Sequence, residues 1–137
     1  MKARQKGKHI QVATLRRLSR FDSADLGPHA TALFHELART AAIGLPIASV
    51  ILAASIVDVV QHEQSGPAGF LGGAAFSHAG STANLGWLRA RRNHLVHHVG
   101  PTNALMGEGD AELWLAGDAQ RAVITLLDFL DDLQLSK

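Results

Sequence analysis

The feature that most constrains the fold is an uncharged run from Ala41 to Val57, which ends at Asp58. A segment of this kind must leave water, either inside a membrane or at the centre of a protein core. Alanine and serine dilute the run, and Gly44 and Pro46 interrupt it near its start, which argues against insertion into a bilayer. The run therefore predicts the central, buried helix of a bundle, beginning at Pro46 and continuing to about Glu63, and no association with a membrane.

The rest of the chain shows helical periodicity and no clear alternation of the kind typical of strands. Apolar spacing, together with proline in a first turn or glycine after a last one, predicts three further helices. They span about Pro28–Ile43, about Asn84–Val99 and about Ala119–Leu133, the last with Asp118 as its N-cap. Leu113 and Trp114 are expected to be extended. The predicted fold class is all-α, a bundle of about four main helices.

Composition indicates a folded protein. The chain has 137 residues, of which 47% are hydrophobic and 18% are charged, so it can bury a core and does not resemble a disordered chain. Cysteine is absent, which excludes disulfides and thiol ligands and suits the cytoplasm, where we expect the protein to act.

Basic residues are concentrated at the start of the chain although the net charge is only +1. The basic residues that precede the first acid, Asp22, are Lys2, Arg4, Lys6, Lys8, Arg16, Arg17 and Arg20. We expect residues 1–22 to form a flexible basic arm, with helical character from Val12 to Leu18, and residues 23–137 to form a single helical domain. The arm lacks the apolar stretch and cleavage site of a secretory signal.

Arg92 occupies a position where the third predicted helix should have a hydrophobic residue. At about 100° per residue it projects from an apolar stripe on one side of that helix. The stripe consists of Leu85, Leu88, Leu95, Val96 and Val99. A guanidinium directed at a core needs a carboxylate, a phosphate or a partner chain to offset its desolvation. Asn93 and His97, one turn apart, share a neighbouring face of the helix.

The residues alone leave three interpretations of this helix end. In the first, histidines and arginines simply suit the C-terminal end of a helix dipole, which explains His98 and Arg91 but not Arg92. In the second, His94 with His97 or His98 binds a metal ion at helical ligand spacing. No nearby cysteine or carboxylate completes that ligand set, so we expect no metal.

The third interpretation is cleavage of RNA through its own 2′-hydroxyl group. That reaction needs a base, an acid and positive charge at the phosphorus. Imidazole can serve either proton-transfer role near neutral pH, and arginine can clamp the non-bridging oxygens. One His97 and one Arg92 make only part of such a site, so a symmetric dimer that places two of these helices face to face would complete it.

The hexapeptide from Arg92 to His97, Arg-Asn-His-Leu-Val-His, resembles the signature motif of the HEPN superfamily (higher eukaryotes and prokaryotes nucleotide-binding). The family's pattern is an arginine and a histidine separated by four to six residues, with a polar residue such as asparagine favoured directly after the arginine. The family's helical bundle, with the motif on its third helix, is similar to the layout predicted above. The resemblance covers about residues 23–134.

The resemblance implies a metal-independent endoribonuclease that acts on RNA as a homodimer and needs no cofactor. It also implies a toxin–antitoxin or other defence system, with an antitoxin or the product of a neighbouring gene as a partner. Arg92 and His97 match the catalytic pair, and Asn93 matches its polar companion. Asp58 resembles the acid that some members place against the motif, and a buried carboxylate there would also require a cation such as Arg92.

Further residues have supporting roles in this hypothesis. Arg89 and Arg91 are expected to attract RNA, while His94 and His98 support the site. We expect Trp87 to share with these two histidines a second face of the helix, which needs solvent or a partner, and an anion to bind between the two copies of Arg92 in the dimer. Control by tyrosine modification, which one branch of the family uses, is excluded because the chain has no tyrosine.

Two alternatives to a ribonuclease remain. The first is a non-catalytic, HEPN-like module that binds RNA, a nucleotide or a partner protein through the same helix. The second is a purely structural role, in which Arg92 bridges to Asp58 within one chain and nothing at the surface depends on it.

Overall fold

The computed structural model describes residues 10–65, 82–97 and 111–135. Within these ranges the chain forms α-helices, one short 3-10 helix at Ser23–Asp25 and no strand, which confirms the predicted all-α bundle. The helices are α1 (Val12–Arg20), α2 (Pro28–Ala42), α3 (Pro46–Ser65), α4 (Thr82–Val96) and α5 (Ala111–Leu135).

Helix α3 lies at the centre and packs against α2, α4 and α5. Its side chains Val50, Ile56 and Val60 are almost completely buried, as expected for the uncharged run. In the described part of the chain, α3 is the helix long and apolar enough to cross a membrane, judged by length and composition only. Its contact with three neighbouring helices accounts for the same apolarity.

The turn between α2 and α3 depends on Gly44, which has a φ of 79°. This left-handed conformation favours glycine and ends α2 where the sequence predicts. The N–H of Leu45 donates to the carbonyl oxygen of Thr40 at 2.9 Å, and so satisfies one of the last carbonyl groups of the helix.

Helix α5 begins earlier than predicted, at Ala111 and not at about Ala119. Trp114 is therefore helical and not extended, and Asp118 lies inside the helix instead of at its N-cap. Most residues between 111 and 118 are compatible with a helix, and the single Gly117 among them costs only about 1 kcal/mol. The buried side of α5, which includes Leu126, Phe129 and Leu130, packs mainly on α3.

Helix α1 is part of the bundle, which differs from the flexible arm expected over residues 1–22. It packs on α2 and α5, with Thr14 and Leu18 buried. Gln120 of α5 donates to the hydroxyl of Thr14 at 2.7 Å and accepts the backbone N–H of Gln11 at 2.9 Å. The helical character expected from Val12 to Leu18 is therefore present, but this segment packs with one buried side and is not a flexible arm. Residues 1–9 of the expected arm lie outside the described residues.

Arg17 ties α1 to the second half of α5. Its Nη2 donates to Asp128 at 2.8 Å and to Asp131 at 2.7 Å. Burial disfavours the charge and by itself lowers the pKa of Arg17, but the hydrogen bonds to Asp131 and Asp128 outweigh it, and the pKa is raised. This cation of the expected arm therefore has a structural role.

Candidate functional site

The Arg-Asn-His-Leu-Val-His motif lies at the C-terminal end of α4. Leu85 and Leu88 of this helix are buried in the core, as the apolar stripe predicts. The helix ends at Val96, although the N–H of His97 still donates to the carbonyl oxygen of Asn93 at 2.9 Å. The predicted extension to Val99 and the supporting residue His98 lie outside the described residues.

Arg92 meets Asp58, as the sequence predicts. Its Nη1 donates to Oδ2 of Asp58 on α3 at 2.6 Å, and its Nη2 donates to Oδ1 of Asn93 at 3.2 Å. The side chains of Arg92 and Asp58 are 24% and 43% exposed, so the carboxylate is partly solvated and not buried as expected. The two contacts fix the guanidinium at the edge of the bundle.

Arg91 forms a second ion pair that the sequence analysis missed. Its Nε donates to Oδ2 of Asp118 on α5 at 2.6 Å, and the two side chains are only 11% and 22% exposed. Arg91 is thus held within the bundle, which argues against its expected role in attracting RNA. The helical spacing contains the signal, since Arg91 lies next to Leu88 on the side of the buried stripe opposite Arg92.

The structure leaves His94, His97 and Arg89 in solvent. No hydrogen bond or ion pair joins Arg92 to His97 within residues 82–97. Arg92 turns towards α3, whereas Arg89 and His97 are exposed on the outward side of the helix. The structure therefore brings Asp58, Arg92 and Asn93 together and places the proposed proton-transfer residue at the adjacent surface.

The face that carries Trp87 was expected to need solvent or a partner chain, but Arg121 of α5 covers Trp87 within the same chain. The guanidinium carbon of Arg121 lies 4.1 Å from the centroid of the Trp87 ring, a cation–π contact. Arg121 also donates to Oδ1 of Asn84 at 3.3 Å. On α4, Trp87 and Asn84 come before Arg91. On α5, their partner Arg121 comes after Asp118, the partner of Arg91. The two helices therefore run antiparallel.

The outward face of α4 carries small residues, Ala83, Gly86 and Ala90, and all three are exposed. A Cβ atom added at Gly86 would meet nothing within 4 Å. Packing inside the chain therefore does not require a glycine there, although glycine in a helix interior is unfavourable.

Among the described residues, no group of three or more His, Cys, Asp or Glu side chains could hold a metal ion. Comparison of the chain with family models, curated proteins and solved structures gives no match. The geometry at the end of α4 is therefore the basis for a functional proposal.

Proposed function

We propose that the protein is a metal-independent endoribonuclease of HEPN type that acts as a homodimer in the cytoplasm. The observation that carries the proposal is the fixed guanidinium of Arg92, held by Asp58 and Asn93 at the end of the helix that also carries the exposed imidazole of His97. These groups can supply positive charge, positioning and proton transfer for phosphodiester cleavage.

In the proposed reaction, His97 accepts the proton of the ribose 2′-hydroxyl. The 2′-oxygen then attacks the phosphorus, and the bond from phosphorus to the 5′-oxygen breaks. A second imidazole, protonated at the start, donates a proton to the departing 5′-oxygen, and the products carry a 2′,3′-cyclic phosphate and a 5′-hydroxyl group. Arg92 stabilises the charge on the non-bridging oxygens, since Asp58 and Asn93 engage only two of the five N–H donors of a guanidinium.

A second copy of the chain would supply the second imidazole. Asn93 and His97 share the outward side of α4 with Gly86 and Ala90 at about 100° per residue. Small residues allow two helices to approach closely, and a twofold axis on this face would place both copies of His97 at one interface. Arg92 itself turns towards α3, so the expected anion between its two copies stays a prediction of this arrangement.

The proposal extends to a biological setting. An RNA-cleaving protein of this kind would serve a toxin–antitoxin or defence system, with an antitoxin or the product of a neighbouring gene as its partner. Arg89, which has no hydrogen bond or ion pair within the described residues, would attract the RNA backbone.

The second candidate is a non-catalytic module that binds RNA or a nucleotide with the same surface, or a partner protein. The hydrogen bond of Arg92 favours this second candidate, because a guanidinium already bound to Asp58 at 2.6 Å is less available to stabilise a transition state. In that case His97 would contribute to binding alone or would have no role.

The deciding experiment incubates the purified protein with total RNA in the presence of a chelator. We expect cleavage by the wild type and by His35→Ala, a matched variant of an exposed histidine on α2, and none by His97→Ala. End-group analysis should find 2′,3′-cyclic phosphates. Equal cleavage by all three proteins would identify a contaminant and would contradict the proposal. No cleavage by any of them, together with RNA binding that survives in His97→Ala, would favour the non-catalytic module.

A further inference from the structure

Helices α1 and α2 leave a groove of about 370 Å³ between them on the surface of the bundle. The residues that form its two sides are Val12, Leu15, Arg16 and Ser19 on α1, and Ala38 and Ala42 on α2. The ring of Phe21, just after α1, lies 5.2 Å from that of Phe34 in α2, centroid to centroid. Val12, at the start of α1, shares the groove with Ala42, at the end of α2, so the two helices run antiparallel.

The α1/α2 groove has the dimensions of a helix-binding surface. Val12, Leu15 and Ser19 follow one another at intervals of three and four residues, so they lie on one side of α1. On the other side of the groove, Ala38 and Ala42 are one turn apart, and their methyl groups leave room between the helices. At a rise of about 1.5 Å per residue, the α1 side is about 10 Å long, which matches two turns of another helix.

Large hydrophobic side chains are exposed at this groove. Among the described residues, the most exposed of them are Ile43, at 70%, and Val12, at 67%. Val12 lines the groove, and Ile43 directly follows Ala42 at the end of α2. Single exposed hydrophobic residues are ordinary on a protein surface, but two of them beside one apolar groove indicate an interaction site.

Arginine borders the groove on both sides. No acidic side chain pairs with Arg16 of α1 in the described part of the chain. On α2, Arg39 lies between Ala38 and Ala42 in sequence and is paired with Glu36 at 3.5 Å. Both partners of that pair are largely exposed, so it holds Arg39 only weakly. A ligand with acidic groups beside an apolar stripe would therefore complement the groove in charge as well as in shape.

We propose that the α1/α2 groove binds an amphipathic helix of a partner protein, whose apolar stripe is flanked by Asp and Glu residues. A helix of this kind is read in a groove through apolar anchors at positions i, i+3 or i+4, and i+7, which span two turns. The groove is formed by α1 and α2, whereas α4 packs on α3 and α5. The inference thus goes beyond the proposed function and does not depend on it.

Other occupants of the groove are less suited to it. A second copy of the chain would bring a second set of the same arginines to a twofold interface, without acids to offset them. An anionic membrane would match the charge of Arg16 and Arg39, but its surface is flat on this scale. Ala38 lies between two helices, so a convex ridge of side chains is needed to reach it.

A designed peptide tests the groove without knowledge of the natural partner. The probe is a fluorescein-labelled helical peptide of about 14 residues, with leucine at anchor spacing and glutamate on both flanks. Its counterpart has lysine in place of every glutamate. Fluorescence anisotropy with the full chain should show saturable binding of the glutamate peptide and binding of the lysine peptide that is at least about tenfold weaker. No saturable binding of the glutamate peptide, or equal binding of both peptides, would overturn the proposal.

Exchange of charge assigns the binding to this groove. A double variant with Arg16→Glu and Arg39→Glu should prefer the lysine peptide. The matched control is Arg20→Glu, an exposed arginine on the α5 side of α1, and it should keep the preference of the wild type. A double variant that still prefers the glutamate peptide, with an unchanged thermal melt, would refute the site.

The apolar part of the groove has its own variant. Ala42→Gln places a longer, polar side chain in the groove, and it should weaken binding of the glutamate peptide about tenfold or more. Ala42 is exposed at the end of α2, so the thermal melt should stay close to that of the wild type. Unchanged affinity in this variant would contradict the proposal.

The same variant identifies the other occupants. Self-association that Ala42→Gln abolishes, in a protein that binds neither peptide, would assign the groove to a second copy and overturn the proposal. Sedimentation with vesicles that contain phosphatidylglycerol, again abolished by Ala42→Gln and without peptide binding, would assign it to a membrane and also overturn it. None of these readouts uses cleavage of RNA, so the failure of the proposed function and the failure of this inference are distinguishable.

Discussion

Arg91 and Arg92 are adjacent in α4, yet their guanidinium groups hold two different neighbouring helices. Arg91 donates to Asp118 on α5 and Arg92 donates to Asp58 on α3, each at 2.6 Å. Successive side chains on a helix point about 100° apart, so one dipeptide reaches both sides of the buried stripe. The end of α4 is therefore fixed in the bundle by two ion pairs.

The two arginines should differ in their contribution to stability. Arg91→Ala leaves the carboxylate of Asp118 without its partner at a largely buried position, and we expect a loss of about 2–3 kcal/mol in the free energy of unfolding. Arg92→Ala breaks a pair that is more solvated, so we expect about 1 kcal/mol. Urea denaturation of both variants measures this difference, and the reverse order would contradict the burial seen here.

The same variants should rank in the opposite order for RNA cleavage. Arg92→Ala removes the proposed clamp on the phosphate and should lower kcat by about a hundredfold or more. Arg91→Ala, compared per folded molecule, should retain most of the activity because its guanidinium is directed at α5. Single-turnover cleavage of a labelled RNA gives both rates, and equal losses in the two variants would argue against a special role for Arg92.

The pair formed by Arg92 and Asp58 could be predicted because each is a charged residue within an apolar helical pattern. Two such charges in a helical bundle have few partners other than each other. The spacing of Arg91 placed it beside the buried stripe but did not identify its partner. Asp118 looked like an N-cap as long as α5 was expected to start at about Ala119, so no acid was assigned to Arg91.

Leu18 provides a test of whether α1 belongs to the folded domain. Its side chain is 2% exposed, so Leu18→Ala should cost about 2–4 kcal/mol of stability. Val12→Ala, on the same helix at a position 67% exposed, is the matched control and should change stability by less than about 0.5 kcal/mol. Thermal or urea melts that show no effect of either substitution would contradict the packing of α1 and would support a flexible arm.

The ion pair of Arg17 should contribute across the whole neutral range of pH. A group whose pKa is raised in the folded state stabilises the fold below its unfolded pKa, and that contribution is lost as the pH rises through the folded pKa. For an arginine, the pH range in which this contribution is lost lies far above neutrality. Arg17→Ala should therefore cost about 0.5–1 kcal/mol, equally at pH of about 7 and about 9. Arg16→Ala, an exposed neighbour, is the control, and a loss that disappears at the higher pH would be inconsistent with this assignment.

Gly86 and Gly117 allow a test of the proposed dimer. Both lie inside helices with nothing within 4 Å of an added Cβ, so alanine at either position should raise the stability of the isolated chain by about 0.5–1 kcal/mol. Only Gly86→Ala should weaken self-association, because it lies on the proposed interface. Light scattering over a range of protein concentrations reads this out. A dimer that is insensitive to Gly86→Ala, or a chain that remains monomeric, would contradict the interface.

The bundle itself followed from patterns with few competing explanations. The uncharged run predicted a central helix, and Gly44 predicted the end of α2. The packing of α1 was missed for a different reason, because it depends on contacts between segments that are distant in sequence. Gln120 bonds to Thr14, and Arg17 bonds to Asp131. Local propensity does not contain information of that kind.

The partners of Arg17 have a consequence for synthesis at the ribosome. Arg17 and Asp131 are separated by 114 positions along the chain, and Thr14 and Gln120 by 106. Translation is vectorial, so α1 emerges long before the side chains of α5 that bind it have been made. Of the two described helices that α1 packs on, only α2 has been made by then, and the polar contacts of α1 to α5 remain unmade. Among the described helices, the first to leave the ribosome is thus one of the last to acquire its native contacts.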